Sequence, residues 1–492
     1  MSAASSGTTD ASSTGSMQKN VDLDHVFSPP TRDEWLTQAL AGLPNHDTLD
    51  SLSRKTLDDL SIAVLYDTAP ENAYVHLGQH SGTAGSWDNR LRIAGLNDST
   101  ANKKMLEGLE KGNSSVELHV DQNTKLTDIL SGIRLDILPL SLRCGNHYRS
   151  IAEQLHNYIN DESISKETLT LSLNVDPIGD WLNGTSDVEP TQGPLSEMAS
   201  FAVEQRQILP QVQSVLVDTT VHHNAGATSK QELIAGLMSA TLYLEALLNE
   251  GISLDQASQT ISFQFACDAD VLMGIVKIRC FCNLWRHLLT EFSKAHNTTI
   301  SNDNLQPRIV VETSQRYLST VDHWNNHLRN IAACSAAALS SVQTVLVHPH
   351  DRVGAWQAES DTSLGERIAR NLPIILDREC GLTQVTDPMA GSYAIDTLTE
   401  QLSHSTWDAL KEFDSAEHWV KALIDGQWQQ WLTESHENRT ARLKSNDEIM
   451  VGINRYQPSE NNSCADNTVL STQSTARLQP VRDAEVFEGA AQ

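Results

Sequence analysis

The alternation of short β-branched runs with longer helical stretches constrains this chain more than any other feature of its sequence. Helical periodicity is clearest over Ser229–Asn249, where leucines recur at helical spacing. From residue 116 onward eight runs predict strands: Val116–Val120, Ile133–Leu138, Leu169–Val175, Val212–Asp218, Ile261–Ala266, Arg308–Glu312, Val342–Val347 and a short run near Thr383–Thr386. Alternation of this kind builds a parallel sheet covered by helices.

Eight such units predict an α/β fold of the (β/α)8 TIM-barrel type rather than a doubly wound sheet, which usually has fewer strands and a glycine-rich first turn. No GxGxxG or P-loop string follows a predicted strand, so a dinucleotide site is not supported. The predicted organisation is a disordered tail (1–25), an N-terminal extension (26–115), the barrel with its C-terminal helices (116–457) and a linker or tail (458–492). In the extension we expect a helix around Trp35 and Leu40 that ends near Gly42.

Composition narrows the classes of partner. The formal net charge of −28 at pH 7 repels phosphate backbones and anionic lipids, so we expect no nucleic-acid partner. No apolar run approaches the roughly 20 residues that span a bilayer, and we expect no membrane association. Seven scattered cysteines, mostly inside apolar segments, are typical of buried free thiols in a reducing, cytoplasmic setting.

The loops after the strands are where a barrel of this type carries reactive groups. His222 and His223 follow the fourth predicted strand. A histidine there can transfer a proton or hydrogen-bond a substrate carbonyl, and it can equally satisfy nearby backbone groups. Asp268 and Asp270 precede a long helix, and we interpret them as helix caps.

Four further candidates for substrate binding follow the later strands. Thr313 and Arg316 can hold an anionic group, although Arg316 can equally form a surface ion pair. His348 and Arg352 lie in the string HPHDR. Two histidines on either side of a proline cannot share a helix face, and no further ligand set is spaced to complete the site, so we predict no metal.

Longer strings resemble the methylmalonyl-CoA mutase family. They include Gln343–Asp351 (QTVLVHPHD), Gly365–Asn371 (GERIARN) and Thr386–Asp396 (TDPMAGSYAID), and the likeness extends from FSPPTRDEW near the start to Ile449–Tyr456 (IMVGINRY). The resemblance implies a barrel that threads an acyl-CoA thioester through its axis. It also implies a separate flavodoxin-like domain that brings adenosylcobalamin to the barrel mouth, where a radical rearrangement converts methylmalonyl-CoA to succinyl-CoA.

Several strings depart from the catalytic members of that family. No DxHxxG string, whose histidine ligates cobalt, occurs in the chain, so we expect no flavodoxin-like cobalamin domain here. Pro480–Glu488 resembles the segment just past the linker in the family's smaller subunits, so we expect that domain to be truncated or separately encoded.

The substrate-facing loops also differ. Asp176–Pro194 stands where catalytic chains carry an arginine in an RGTYIFPP-like loop, and it contains no arginine. VHHNAGAT replaces a GYHMQEAGAT-like loop, which shifts His222 and His223 from the position of the family's hydrogen-bonding histidine. Alignment on Asp351 puts His348 and Arg352 where catalytic chains have an asparagine and a glutamate near the adenosyl group.

These departures resemble the non-catalytic small subunit of heterodimeric mutases. The leading hypothesis is therefore an isomerase subunit that supports a catalytic large subunit. We expect the large subunit to bind adenosylcobalamin, and we expect the segment Phe27–Asp67 of this chain to wrap around the large subunit. An active barrel that uses a separately encoded cobalamin-binding chain is the alternative. A third reading is a non-enzymatic scaffold or acyl-CoA binder.

Overall fold

The computed structural model describes residues 30–43, 48, 52–70, 86–353, 363–413, 415–458 and 475–488. The chain divides into two compact units, residues 1–54 with 61–64 and residues 55–60 with 65–492. The first unit contains helix α1, Arg32–Ala41, which begins with a capping box between Thr31 and Glu34 and ends at Gly42, as predicted. Short strands occupy Arg54–Lys55 and Ser61–Ile62. The predicted tail, 1–25, lies outside the described residues.

The second unit is built on a closed barrel of eight parallel strands, which confirms the predicted fold class. The barrel closes where Thr344 of the last strand pairs with Asp88 of the first. In chain order the strands are β1 Asp88–Ile93, β2 Ser115–His119, β3 Leu140–Arg143, β4 Leu171–Val175, β5 Gln213–Asp218, β6 Ile261–Cys267, β7 Arg308–Thr313 and β8 Thr344–Leu346.

Helices cover the outside of the barrel and continue beyond its last strand. They are α2 Asp98–Glu110, α3 Leu126–Ile129, α4 Tyr148–Asp161, α5 Pro177–Leu182, α6 Pro194–Ile208, α7 Thr220–Asn224, α8 Ser229–Asn249, α9 Leu254–Thr260, α10 Val271–Ala295, α11 Asn325–Leu339, α12 Ser363–Arg378, α13 Tyr393–Leu410, α14 Ala416–Ile424, α15 Gln427–Ser445 and α16 Glu485–Glu488. Short 3-10 helices occupy Gly145–His147, Asn302–Leu305 and Leu382–Gln384. Within the described residues, no helix is both long and apolar enough to cross a membrane.

Two predicted strands are wrong, and two strands, β1 and β3, were missed. Ile133–Leu138 forms turns in which the Arg134 carbonyl accepts from the backbone N–H groups of Ile137 and Leu138, and the strand follows at β3. The run near Thr383–Thr386 begins with a 3-10 helix instead of a strand. The missed strand β1 pairs with both β8 and β2, so the barrel begins inside the range 26–115 that was assigned to an extension.

Aromatic packing fixes the helical layer to the strands. Phe263 of β6 packs edge-on against Phe281 and Trp285 of α10, with ring centroids 4.6 Å and 4.8 Å apart. All three side chains are fully buried. Gly226, at φ +103°, allows α15 to approach the loop after β5, because a Cβ at this position lies 2.8 Å from the Cβ of His436. The outer helices are thereby held against the carboxyl end of the barrel.

Candidate functional site: the barrel axis and mouth

Charged and amide side chains fill the barrel axis near the carboxyl ends of the strands. Because successive residues of a strand point to opposite faces, the sequences RLRI in β1 and VELH in β2 place their polar side chains inside and their leucines outside. Six strands each contribute one largely buried member to what we call the axis ring. Its members are Arg92 (β1), Glu117 (β2), Arg143 (β3), Asp218 (β5), Gln264 (β6) and Glu312 (β7).

The contacts of the axis ring form a closed circuit. Arg92 contacts Glu117 at 2.7 Å (Nε to Oε1) and Glu312 at 2.8 Å (Nη2 to Oε2). The Gln264 amide donates to Glu312 at 2.9 Å, and its oxygen accepts from Arg143 Nη2 at 2.8 Å. Arg143 Nε lies 4.0 Å from Glu117 Oε1, which returns the circuit to its start.

Arg143 crosses the axis to make these contacts. Its strand, β3, is three positions around the barrel from β6, which carries Gln264. Its Nη1 also lies 2.9 Å from Asp218 on β5. These side chains are bonded to one another across the interior and therefore occupy the axis at this level. We call this arrangement the closed axis.

Both glutamates of the axis ring are ionised at neutral pH. Burial alone raises the pKa of Glu312, but the attraction of Arg92 and His348 outweighs it and lowers the pKa to about 2. Burial likewise opposes ionisation of Glu117, yet Arg92 and Arg143 hold its pKa well below the ordinary range. The two glutamates and the two arginines of the ring are therefore fixed, mutually compensating charges and not a proton relay.

A group of carboxyls lies beside Arg143 at the mouth. The Tyr243 hydroxyl donates to Asp176, which also accepts from the backbone N–H of Gly179 at 3.0 Å and caps α5. Burial, partly offset by the Tyr243 hydrogen bond, raises the pKa of Asp176 to about 6. Burial and the neighbouring Asp176 raise the pKa of Asp180 to about 7. The carboxyls of Asp176 and Asp180 therefore titrate close to neutral pH.

His222 lies in the core between the barrel and the C-terminal helices. Its ring is buried, and Nδ1 accepts from Trp428 Nε1 at 3.0 Å. The ring also packs edge-on against Trp428, with centroids 5.8 Å apart. Burial lowers the pKa of His222 to about 4, so the imidazole is neutral at physiological pH. The structure places it away from solvent and against tryptophan.

His223 belongs to a second buried network. Nε2 lies 2.8 Å from Ser314 Oγ, and Nδ1 lies 3.3 Å from Glu232. Lys277 Nζ contacts the same carboxylate at 2.6 Å. Burial opposes the charge on Glu232, but Lys277 and His223 outweigh it and lower the pKa to about 2. The network ties the loops after β5 and β7 to α8 and α10.

Thr313 and Arg316 are buried and bonded to the protein itself. The Thr313 hydroxyl accepts from the backbone N–H of His348 at 3.0 Å. Arg316 Nη1 donates to the carbonyls of His223 and Ala227 at 2.8 Å and 2.9 Å. These contacts bring the loops after β5, β7 and β8 together through the candidate residues.

His348 and Arg352 take different positions. His348 is buried beside the axis ring, with Nε2 3.5 Å from Glu312 and the Gln315 amide within 3.0 Å of its ring. Arg352 forms an ion pair with Glu366 of α12, and Lys104 contacts that carboxylate at 2.6 Å. The substrate-binding roles of these two residues, like those of Thr313 and Arg316, stay predictions.

The described C-terminal segment, 475–488, lies across the mouth. Its backbone N–H groups at Leu478 and Val481 donate to the carbonyls of Leu182 and Asn224, at 3.0 Å and 2.7 Å. The Arg477 guanidinium stacks 4.3 Å above the Trp181 ring. The segment therefore covers the loops after β4 and β5. Residues 475–488 belong to the region 458–492 that was predicted as a linker or tail, and they pack on the barrel.

Asp483 anchors that segment. Its carboxylate is fully buried, 3.0 Å from Arg439 Nε and 3.7 Å from Arg316 Nε. Its backbone N–H donates to the Arg316 carbonyl at 3.1 Å. Burial opposes the charge on Arg439, but Asp483 and Glu448 outweigh it and raise its pKa. The anchor joins the segment to α15 and to the loop after β7.

The histidines that follow β5 and β8 do not fit as cobalt ligands. His222 and His223 are engaged as described above, and His348 faces Glu312 and Gln315. His350 is buried under Trp324, with ring centroids 5.3 Å apart. In the described part of the chain, no group of three histidine, cysteine or acidic side chains is arranged to hold a metal ion.

The axis ring was not predicted from the sequence, although a signal for it is present. Polar residues interrupt otherwise apolar strands at alternate positions, as Glu117 does in VELH and Gln264 does in ISFQFAC. Such interruptions indicate inward-facing polar groups that need partners.

Capping was predicted correctly for Asp270, whose carboxylate accepts from the Met273 N–H at 3.1 Å.

Comparison with known proteins decides the family. A sequence model described as methylmalonyl-CoA mutase matches residues 103–488. The chain belongs to the methylmalonyl-CoA mutase family. The matched range includes the axis ring from β2 onward, the mouth loops and the C-terminal segment.

Curated relatives carry names from the same family. The chain is 28% identical to the methylmalonyl-CoA mutase small subunit of Streptomyces virginiae, over 83% of this chain and 66% of that protein. It is 24% identical to the methylmalonyl-CoA mutase small subunit of Propionibacterium freudenreichii subsp. shermanii, over 90% of this chain and 69% of that protein. It is 25% identical to the methylmalonyl-CoA mutase of Rhizobium meliloti, over 74% and 50%. The chain thus spans from 50% to 69% of the length of these relatives.

Proposed function

We propose that this chain is the small, supporting subunit of an adenosylcobalamin-dependent methylmalonyl-CoA mutase, an isomerase that converts methylmalonyl-CoA to succinyl-CoA. The catalytic large subunit binds both the cofactor and the substrate. The names of the Streptomyces and Propionibacterium relatives support the assignment to a small subunit. Six cysteines in the described residues are free and five of them are buried, which supports a reducing, cytoplasmic location.

The observation that carries the proposal is the closed axis. An acyl-CoA threaded through this barrel meets Arg143 and Gln264 bonded across its path. Opening the path separates Arg92 from two buried glutamates. Breaking such a buried ion network is costly because it leaves charges without compensation in a medium of low polarity. The side chains inside the barrel therefore stabilise the fold and leave the axis closed.

The mouth supports the same proposal. The loop after β4 has no arginine, and its first residue, Asp176, is a buried cap. His222 is held against Trp428 and His223 against Glu232, so neither lies free at the mouth to polarise a substrate carbonyl. The predicted wrapping segment, Phe27–Asp67, falls partly outside the described residues and stays a prediction.

Reconstitution tests the proposal. The chain is purified alone, with a lone cobalamin-binding domain, and with a large mutase chain, each with adenosylcobalamin and methylmalonyl-CoA. We expect co-purification with the large chain, and turnover only in that mixture. Turnover by this chain with the lone cobalamin-binding domain contradicts the proposal and favours a split mutase. Butyryl- or isobutyryl-CoA is included because the alternative allows a monocarboxylic substrate.

A further inference from the structure

Helix α11 presents an apolar stripe to solvent. Trp324 precedes the helix, and Leu328 and Ile331 follow at intervals of four and three residues, which places the three on one helical face. Their exposed fractions are 49%, 65% and 46%. Large apolar side chains aligned on one exposed face mark an interaction surface more reliably than scattered ones do.

The same face carries no charge. Apart from His327, Arg329 is the only acidic or basic residue in Asn325–Leu339. It is buried, donating to Asn326 Oδ1 at 2.7 Å and to the Val451 carbonyl at 2.7 Å. Burial also lowers the pKa of His327, which leaves that imidazole neutral. A helix with an uncharged outer face is unusual on a chain of net charge −28, and the cores of protein interfaces are depleted in charge.

Trp324 is held rigidly in place. Its ring stacks on His350 at a centroid distance of 5.3 Å and contacts His323 and His327 at 4.9 Å and 5.7 Å. His327 and His350 in turn stack on each other at 3.5 Å. A half-exposed tryptophan with a fixed ring loses little conformational freedom on binding, which is the property of an interface anchor.

The turn after α15 extends the apolar area. Val451 and Ile449 are exposed, and the Arg329 hydrogen bond holds Val451 against α11. Gly452 packs so closely on the start of that helix that a Cβ there lies 2.3 Å from Asp322 Oδ2. We call Trp324, Leu328, Ile331, Ile449 and Val451 the α11 face.

We infer that the α11 face binds the large mutase subunit. The inference rests on the proposed function and names the surface through which it operates. A second copy of this chain is the poorer occupant, because each copy carries a charge of −28 and association brings like charges together. A lipid surface is poorer still, because the face carries no cation to attract anionic headgroups. The occupant is a protein with a matching apolar, uncharged surface.

Paired substitutions test the inference. Leu328→Glu with Ile331→Glu places two charges on the face, and Leu328→Ser is a milder variant. Ile137→Glu is the matched control, because Ile137 is 70% exposed and lies outside the face, ahead of β3. Affinity for the large chain is measured by calorimetry on the full-length proteins, with thermal unfolding as the check on folding.

We expect the double variant to weaken binding at least about 30-fold, as for the loss of an interface anchor, and Leu328→Ser to weaken it less, while the control binds like wild type. If wild-type chain binds and all the variants bind equally well, the inference is overturned and the proposed function stands. If wild-type chain binds no large mutase chain, the proposed function itself fails. If the isolated chain is a dimer that the double variant dissociates, the occupant is a second copy and the inference is overturned.

Discussion

At the scale of single residues, Arg143 is the group on which the axis ring depends most. It contacts Asp218, Gln264 and Glu117. Arg143→Met removes the cation and leaves buried acceptors without compensation. We expect the free energy of unfolding to fall by about 3 kcal/mol, the usual cost of breaking a buried ion network from one side. Urea unfolding of the purified variant measures this loss.

Arg134→Met is the matched control for that prediction. Arg134 pairs with Asp136 on the surface, and its side chain is 71% exposed. Surface ion pairs contribute little because water and salt screen them. We expect the control to unfold at nearly the wild-type urea concentration. Equal losses in the two variants contradict a stabilising role for the axis ring.

His222 makes stability depend on pH. Burial lowers its folded-state pKa to about 4, whereas an unfolded histidine titrates near its ordinary value of about 6.5. As the pH falls below about 6.5, His222 binds a proton in the unfolded chain but not in the folded chain. The free energy of unfolding therefore decreases as the pH falls from about 6.5 to about 4. At pH 5 the loss from this residue is about 2 kcal/mol.

His222→Gln removes that titration and keeps an acceptor for Trp428. We expect the drop in the free energy of unfolding between pH 7.5 and pH 5 to be smaller in the variant than in wild type. Denaturant unfolding at the two pH values measures the difference. An unchanged drop argues that His222 is not the neutral core residue described here.

The sequence identified candidate residues at the mouth better than it identified their partners. Loop position after a strand was enough to select His223 and Arg316. It did not show that Arg316 donates to the His223 carbonyl, because that contact joins residues 93 positions apart. The contact between Arg92 and Glu312 in the axis ring was not predicted for the same reason, since these residues are 220 positions apart. Pairings across a closed barrel are set by its geometry, not by local pattern.

At the scale of elements, the C-terminal segment behaves as part of the barrel. Asp483 holds it between two arginines, so Asp483→Asn leaves Arg316 and Arg439 without their shared carboxylate. We expect amide hydrogen exchange across residues 475–488 to accelerate, with a loss of about 3 kcal/mol in the free energy of unfolding. Hydrogen-exchange mass spectrometry resolves the segment.

Glu485→Gln provides the comparison, because Glu485 is exposed two residues further along the same segment. We expect its exchange pattern to match wild type. If Asp483→Asn also leaves exchange across the segment unchanged, then the other contacts of the segment are sufficient to hold it.

Element prediction succeeded at the fully apolar face of β6, missed the polar strand β1 and mistook an apolar turn for a strand. β6 was predicted to within one residue because every side chain of ISFQFAC is buried. β1 was missed because its sequence, DNRLRI, includes two arginines that point into the axis. Ile133–Leu138 has the apolar composition of a strand, but its backbone hydrogen bonds close turns. Tertiary context overrides local pattern at both places.

At the scale of the whole molecule, the family barrel is retained while its axis is closed. The eight strands, the covering helices and the C-terminal segment are all present in the part of the chain that the structure describes. The central position of the barrel is occupied by charges that compensate one another. This combination supports the proposal that the chain stabilises a catalytic partner and holds no substrate itself.

The stoichiometry of acyl-CoA binding to the purified heterodimer tests this account most directly. Calorimetric titration with a non-reactive methylmalonyl-CoA analogue is carried out on the complex and on this chain alone. We predict one acyl-CoA per pair of subunits and no saturable binding to this chain. Two acyl-CoA molecules per pair, or saturable binding of one equivalent to this chain alone, contradict the closed axis.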